Sequence, residues 1–580
     1  MSPGQLQNDV VRTELDSSTW DDIKVLIMPT LDGREKQRQP QYKPSINPLT
    51  SRPTDVHHKD APHYRQWHQC GQKQARTQTP GTKYSYRATP TIRTTPLLIR
   101  TLQPLPLSKH HNNGARRVHR SSSKAATVTA APDLAATQAP LPAAAQAEAR
   151  TPALAVLPLT SVLRTYLITR VSSSPALWGL STAILRRMAS PSIALMDPDR
   201  NPVLHWLLRH TFYAQFCAGE NKDQVRRTVA AMKDVGFHGI IVESAIEVLP
   251  DGREIPGPDS AATRKEIETW KRNMLETVAI AESGAFVALK WSGLGRYALQ
   301  LLKSNQPPTP EMAEAIHEVC ERAAAKNVAL LPGAEHETTN EGIDSWTLDL
   351  EAQYNRTEPG YALMYNTYQA YLKSTPAKLA RHLAAAQKDG YTLGVKLVRG
   401  AYLSSEPRNS IWSTKEETDR AYNGLAEALL QRQYGSALKP ADDAASKQLP
   451  PIAVIIATHN AESVRKVQRL RNEQAAEGRS RVRLAYAQLQ GMADEVGCEL
   501  IKSKKSASLA QETSAYGPLW RKVDIPNAFK CMPWGTTGEC LQYLLRRASE
   551  NKDAATRTEG TRRAMGAELK RRLKAAMWLA

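Results

Sequence analysis

The chain has 580 residues, with 77 Lys and Arg against 57 Asp and Glu, giving a formal charge of +20. Its six cysteines (Cys70, Cys217, Cys320, Cys498, Cys531, Cys540) are widely spaced with no CxxC, which argues against a disulfide framework or zinc site and suits a reducing compartment. No apolar run reaches the roughly eighteen residues that a membrane span needs.

Residues 1–150 are rich in Pro, Gln, Ser and Thr, with an Ala/Pro tract at 126–155, and are expected to be disordered. Between Ala61 and Pro132 there is no acid and there are twelve Lys and Arg, over half of the net charge. A basic, acid-free, Ser-rich stretch reads as an organelle transit peptide. The residues before it contain Glu14, Asp16, Asp21 and Asp22 and do not fit a presequence, so translation starts later or upstream sequence has been joined to the front. Aromatic residues are sparse there and no zinc-finger, RRM or KH pattern occurs, so no nucleic-acid partner is expected.

Apolar helical spacing begins near Leu157, and 151–235 reads as a helical prelude. Within it, Val171–Leu185 is short and broken by serines and a proline, so it reads as a helix packed on the domain rather than a span. From His238 a regular alternation begins. Strands are expected at 238–244, 286–291, 328–333, 362–368, 393–402, 453–460, 482–489 and 527–534. Helices are expected at 222–235, 264–282, 311–325, 377–388, 415–433, 462–475, 492–502 and 537–550. Several strands are apolar on both faces, as parallel strands covered by helices must be. Eight βα units spanning 236–580 point to a closed (β/α)8 barrel of the TIM type, with an open doubly wound sheet as the weaker option.

In such barrels function collects at the C-terminal ends of the strands. Those ends carry Lys290 and Trp291, Gly333 and Glu335, Asn366 and Gln369, Thr458-His459-Asn460, Gln488-Leu489, and Cys531 before Pro533. The fifth strand, VKLVRGAYL at 395–403, holds Lys396, Arg399 and Tyr402. Alternation sends Lys396 and Val398 one way, Leu397 and Arg399 the other. A buried cation needs an acceptor. Either one of them pairs with a carboxylate between helices, such as Glu335 or Glu406, or both reach an anion at the barrel mouth. His459 has no second His or nearby Cys at ligand spacing, so no metal is expected, while its neighbours sit where a helix N-terminus favours phosphate. Arg546 and Arg547 fall about 100° apart on a helix, so one can face the strand ends, and arginine forks match carboxylates.

FYAQFCAGEN (212–221), YNTYQAYLKSTP (365–376), LGVKLVRGAYL (393–403), ATHN (457–460), QLQGMADEV (488–496) and YLLRRASEN (543–551) resemble the motifs of eukaryotic, especially fungal, proline dehydrogenases, in the family's order and over about 155–580. The resemblance implies a distorted barrel that binds FAD without a covalent bond. It implies oxidation of L-proline to 1-pyrroline-5-carboxylate, with electrons passing to quinone at the matrix side of the mitochondrial inner membrane. By that resemblance Gln369, Lys396, Val398, Arg399, Thr458, His459, Asn460 and Glu550 would hold FAD. Lys290, Tyr402, Leu489, Arg546 and Arg547 would line the substrate site, the arginines gripping the carboxylate.

Two positions depart from the family. Gly333 stands where its pattern has an aspartate, and Cys531 where it has a tyrosine. Both losses take polar groups from the pocket wall and enlarge it. Ile246 also replaces an arginine of the fungal pattern. The departures leave three readings open: slower proline oxidation, a different cyclic imino acid, or a weakly catalytic flavin-binding regulator. A Schiff-base aldolase using Lys290 would explain neither ATHN nor the arginine pair.

Overall fold

The computed structural model describes residues 151–580 apart from 247–253, 404, 442–447, 513–522, 551–554 and 580. The transit-like reading of 1–150 therefore lies outside the described residues. The prelude is helical, as its spacing predicts: α1 (Leu159–Ser172), α2 (Pro175–Ala189), α3 (Pro202–Leu208) and α4 (Lys222–Val235). Asparagines start two of them. Asn201 accepts from the backbone N–H groups of Val203 and Leu204, and Asn221 from that of Gln224, satisfying donors that a helix start leaves open.

The barrel follows as β1 (Gly239–Ser244), α5 (Ala261–Ile280), β2 (Phe286–Leu289), α6 (Arg296–Lys303), α7 (Pro310–Lys326), β3 (Ala329–Pro332), α8 (Glu337–Tyr354) and β4 (Asn366–Gln369). It continues with α9 (Thr375–Asp389), β5 (Leu393–Val398), α10 (Lys415–Gln431), β6 (Ile452–Ala457), α11 (Ala461–Ala476) and β7 (Arg483–Leu489). The last elements are α12 (Asp494–Glu512), β8 (Ala528–Trp534), α13 (Thr537–Glu550) and α14 (Ala555–Leu579). All eight expected strands are present and parallel, in the order β3-β2-β1-β8-β7-β6-β5-β4. The ring closes between β3 and β4 by a bridge, Leu330 to Met364, and by Thr367 Oγ1 donating to Pro332 O at 2.6 Å. The open-sheet option is thereby set aside.

Three helices escape the sequence pattern: α6, α8 and α14. For α8 the reason is physical. Its buried side is largely polar, with Thr339, Asn340, Asp344, Thr347 and Glu351 facing inward, so no apolar stripe marks it. Each of those groups has a hydrogen-bond partner in place of an apolar contact. Asn366 Nδ2 donates to Asp344 at 2.8 Å, Trp291 Nε1 to Thr347 at 2.9 Å, and Gly394 N to Glu351 at 3.2 Å.

Inside the ring, Phe286 meets Phe529 edge-on at 4.9 Å and Tyr365 at 6.0 Å, near the N-terminal ends of the strands. This aromatic floor leaves space for a ligand at the opposite, C-terminal end. There the inward residues of β6 and β7 are small, Ala457 and Ala487.

Burial lowers the His382 pKa to about 4, and of its charged neighbours Asp344 opposes the shift while Lys378 and Arg381 add to it. The imidazole shares a hydrogen bond with Tyr368 Oη at 2.9 Å. Below its ordinary value of 6.5 the unfolded chain takes up this proton, while the folded chain does so only near pH 4. Stability is therefore lost as pH falls through that window, by up to ~3 kcal/mol from this group. Urea unfolding at pH 7 and pH 5 should show the loss. His382→Gln, which keeps a partner for Tyr368, should reduce it.

Candidate active site

The fifth strand divides its two cations. Lys396 pairs in register with Thr367 of β4 and Ile455 of β6, and like Ile455 it points into the barrel. Leu397 points outward into the helix layer. Arg399 follows that parity: its guanidinium pairs with Asp419 of α10, donates to Ser463 Oγ of α11 at 3.1 Å, and lies 5.1 Å over the Tyr422 ring. The carboxylate expected between helices exists, but it is Asp419 rather than Glu335 or Glu406. Burial lowers the Lys396 pKa from the ordinary lysine value; Cys531 and Glu243 counter this, and Lys290 adds to it. These groups from β8, β1 and β2 therefore share one interior space with Lys396.

The strand ends at Gly400, whose φ of +138° and whose closeness to Tyr371 exclude a side chain: a Cβ would stand 2.3 Å from that ring. The turn brings Tyr402, 6% exposed, to 4.6 Å from the His336 ring. Val398 is inward and half-buried. Gln369, buried at the end of β4, donates to Glu335 O at 3.1 Å.

At the end of β6, Thr458 N donates to Ala487 O at 3.2 Å and Thr458 Oγ1 accepts from Asn460 N at 3.1 Å. Asn460 Oδ1 accepts from Ser463 N at 2.9 Å and so caps α11. His459 Nε2 accepts from Leu489 N at 3.0 Å, tying the ends of β6 and β7 together. The ATHN segment thus presents the N-terminus of a sixteen-residue helix to the mouth, a setting that favours an anion. Leu489 is 40% exposed there, whereas Gln488 points outward and is buried.

Across the mouth, Lys290 follows β2 and Gly333 follows β3. Gly333 N donates to Leu289 O at 2.8 Å, and a Cβ on Gly333 would stand 3.5 Å from Leu289 O and 3.7 Å from Lys290 Cγ. Those are ordinary contacts. The missing aspartate is a choice of residue and not a steric demand of the backbone.

Two residues join the site that strand-end reading passed over, Glu243 and Tyr543. Tyr543 Oη donates to Glu243 Oε2 at 2.7 Å, and Cys531 Sγ lies 3.7 Å from the same oxygen. Burial, with Glu243 adding to it, pushes the Cys531 thiol well above its ordinary value, so it stays protonated. Tyr543 sits beneath both arginines, its ring 6.0 Å from the Arg546 guanidinium and 5.4 Å from that of Arg547. The signal for Glu243 was its parity with inward Ile241; for Tyr543 it was the helical spacing to the arginine pair. The side chain of Glu550 lies outside the described residues.

The sequence profile of proline dehydrogenase matches residues 253–560. The chain belongs to the proline dehydrogenase family. As a member it is an oxidoreductase of proline catabolism, and the barrel mouth is its candidate active site. A mouse hydroxyproline dehydrogenase is 29% identical over 416 residues, covering 63% of this chain and 83% of that relative. The probable mitochondrial proline dehydrogenase of Schizosaccharomyces pombe is 27% identical over 418 residues, covering 63% and 80%. A proline utilization A structure from Bdellovibrio bacteriovorus, inactivated by N-propargylglycine, matches at 15% identity with a TM-score of 0.44. This chain spans 37% of that longer protein, and the barrel assignment rests on the strand pairing above. The family match begins after β1, so Glu243 lies outside it.

Gly333→Asp should fold with a stability within about 1 kcal/mol of the parent, because the site lacks both a clash and a left-handed backbone. Thermal unfolding of the two proteins checks this.

Proposed function

We propose that the barrel mouth binds FAD and oxidises L-proline to 1-pyrroline-5-carboxylate, with the electrons passing to a membrane quinone. The observation that carries this reading is the meeting, at one mouth, of an anion-favouring wall with an arginine pair. Lys396 and the capped start of α11 form the wall, and Tyr543 and Glu243 hold the helix that bears the arginines. That donor set fits a flavin nucleotide: inward Lys396 suits a ring that becomes negative on reduction, and open N–H groups at a helix start suit phosphate. Gln369, Lys396, Val398, Thr458, His459, Asn460 and Glu550 would hold the cofactor, while Arg399, expected among them, is drawn to Asp419 and Ser463 and would support the start of α11 from behind. Bound FAD supplies the two-electron acceptor.

The chain's own residues do the rest. Arg546 and Arg547 offer a planar donor fork to the substrate carboxylate. Lys290, Tyr402 and Leu489 flank the ring and limit its orientations, which is how a binding site lowers a barrier without new chemistry. The substrate loses C5–H and N–H and gains a C=N bond. The reading includes a mitochondrial location, which the names of several relatives support, and within the mitochondrion the matrix side of the inner membrane.

A second reading rests on Gly333 and Cys531. With no side chain at one and a short thiol at the other, the pocket accepts a bulkier or ring-hydroxylated cyclic imino acid. Hydroxyproline dehydrogenases among the relatives favour it. If no imino acid is oxidised, the chain is a flavin-binding regulator.

Purified protein should show the two visible absorption bands of oxidised flavin, and their absence would count against the whole reading. Anaerobic addition of L-proline, hydroxyproline or pipecolate should bleach them; bleaching by none leaves the regulator. Arg547→Met should raise the KM for the imino acid about 10–100-fold, the worth of one charged hydrogen-bonded contact. Gly333→Asp combined with Cys531→Tyr should raise proline turnover about tenfold if one such contact is restored. Unaltered turnover would overturn the account of those two positions.

A further inference from the structure

The prelude carries an apolar face that the described structure leaves uncovered. Of twenty large hydrophobic side chains exposed among the described residues, thirteen lie between Leu159 and Leu207. On α1, Leu159, Leu163 and Leu167 recur every fourth residue and are 54%, 46% and 53% exposed. On α2, Leu177, Trp178, Leu180 and Ile184 range from 42% to 62% exposed. Single exposed leucines need no explanation, but a concentration of this kind marks an interaction surface.

The inner side of α1 is buried through Val162, Thr165 and Thr169, and α2 is anchored at its C-terminal end. Val162 of α1 is fully buried beside Met565 of α14. Met188 and Ala189 of α2 pack with Leu541 of α13, and Gln542 Nε2 donates to Ala189 O at 2.8 Å. α1 therefore has one face committed to the protein and another facing outward, while α2 is held at its end and leaves most of its length open.

The charge pattern names the partner. No Asp or Glu occurs between Glu148 and Asp197, while Arg170, Arg186 and Arg187 are exposed along the same helices. An acid-free apolar face bordered by arginines complements a bilayer of anionic lipid, where leucine and tryptophan enter the interface and guanidinium groups meet phosphates. No described helix is long and apolar enough to cross a membrane, so the helices would lie in the interface plane. We propose that α1 and α2 form a docking face for an anionic membrane surface. Because α2 packs on α13, docking would bring the arginine-bearing helix close to the bilayer. The purpose of the docking rests on the proposed transfer of electrons to quinone, although its geometry does not.

The full chain should co-sediment with vesicles of phosphatidylcholine containing phosphatidylglycerol, and weakly with phosphatidylcholine alone. Trp178 fluorescence should shift to the blue on binding. Leu167→Glu with Leu180→Glu, both at exposed positions, should weaken binding at least about tenfold, since each puts a charge into the interface. Turnover with a soluble dye as acceptor should be unchanged in that variant. The proposal is overturned if the parent binds no vesicle, or if the variant binds as tightly as the parent. It is equally overturned if the face proves to join two copies of the chain, seen as a dimer that the substitutions split and that ignores vesicles. Lack of dye turnover in the parent would count against the dehydrogenase reading alone, since vesicle binding is measured separately.

Discussion

The hydrogen bond from Tyr543 Oη to Glu243, 2.7 Å long, sets where the last helix of the barrel lies. Around β5 and β6 the following helices pack back along the sheet: α10 and α11 bury Tyr422, Leu425 and Val464 with Leu397, Val454 and Ile456. The outer face of β8 is occupied differently. Met532 lies with Val225 and Val229 of α4, and Lys530, 1% exposed, pairs with Asp494 at the start of α12. With that face taken, α13 reaches over the mouth. A carboxylate partly withdrawn from water needs donors, and the Tyr543 phenol supplies one. The ring that makes this bond also lies beneath Arg546 and Arg547, so the arginines owe their position to β1.

The mouth also depends on how the two cations of β5 are separated. Had both faced inward, they would stand beside Lys290 and disfavour one another strongly at short range. Asp419 draws Arg399 into the helix layer, leaving Lys396 with Glu243 as the interior carboxylate that counters its loss of solvation. An aspartate at 333 would add a second interior acid near Lys290. Its absence leaves this wall more positive, which favours anionic ligands.

Much of this was legible in the sequence, and what was missed has identifiable causes. The eight strands show because buried parallel strands are apolar on both faces. The parity of Lys396 and Arg399 follows from alternation alone, yet Asp419 does not, because it lies on a helix twenty residues later with no local pattern linking it to the strand. Helix α8 was hidden since its buried groups are Thr347, Asp344 and Glu351, satisfied by partners on other elements that no periodicity reports. Glu243 closes an obvious strand, but its meaning depends on Tyr543, three hundred residues away in sequence.

The position of α13 also explains why the prelude is needed. A barrel strand must be covered on its outer face, and with the eighth helix over the mouth β8 would be left bare. Helices from before β1 supply the cover: α4 lies on Met532, and α1 reaches the same region through Arg164 and Thr165, held to Gln215 by hydrogen bonds of 3.0 and 2.9 Å. The substitution is imperfect. A cavity of about 410 Å³ remains between α1, α4, α12 and the outer side of β8, lined by Arg164, Gln215, Thr228, Lys530 and Met532. A helix recruited from outside the βα order can cover the strand without matching its side chains as closely as the helix it replaces. Moving α13 thus has two consequences from one cause: it sets the arginine pair beside Tyr543 and Glu243, and it makes the amphipathic prelude a structural part of the barrel.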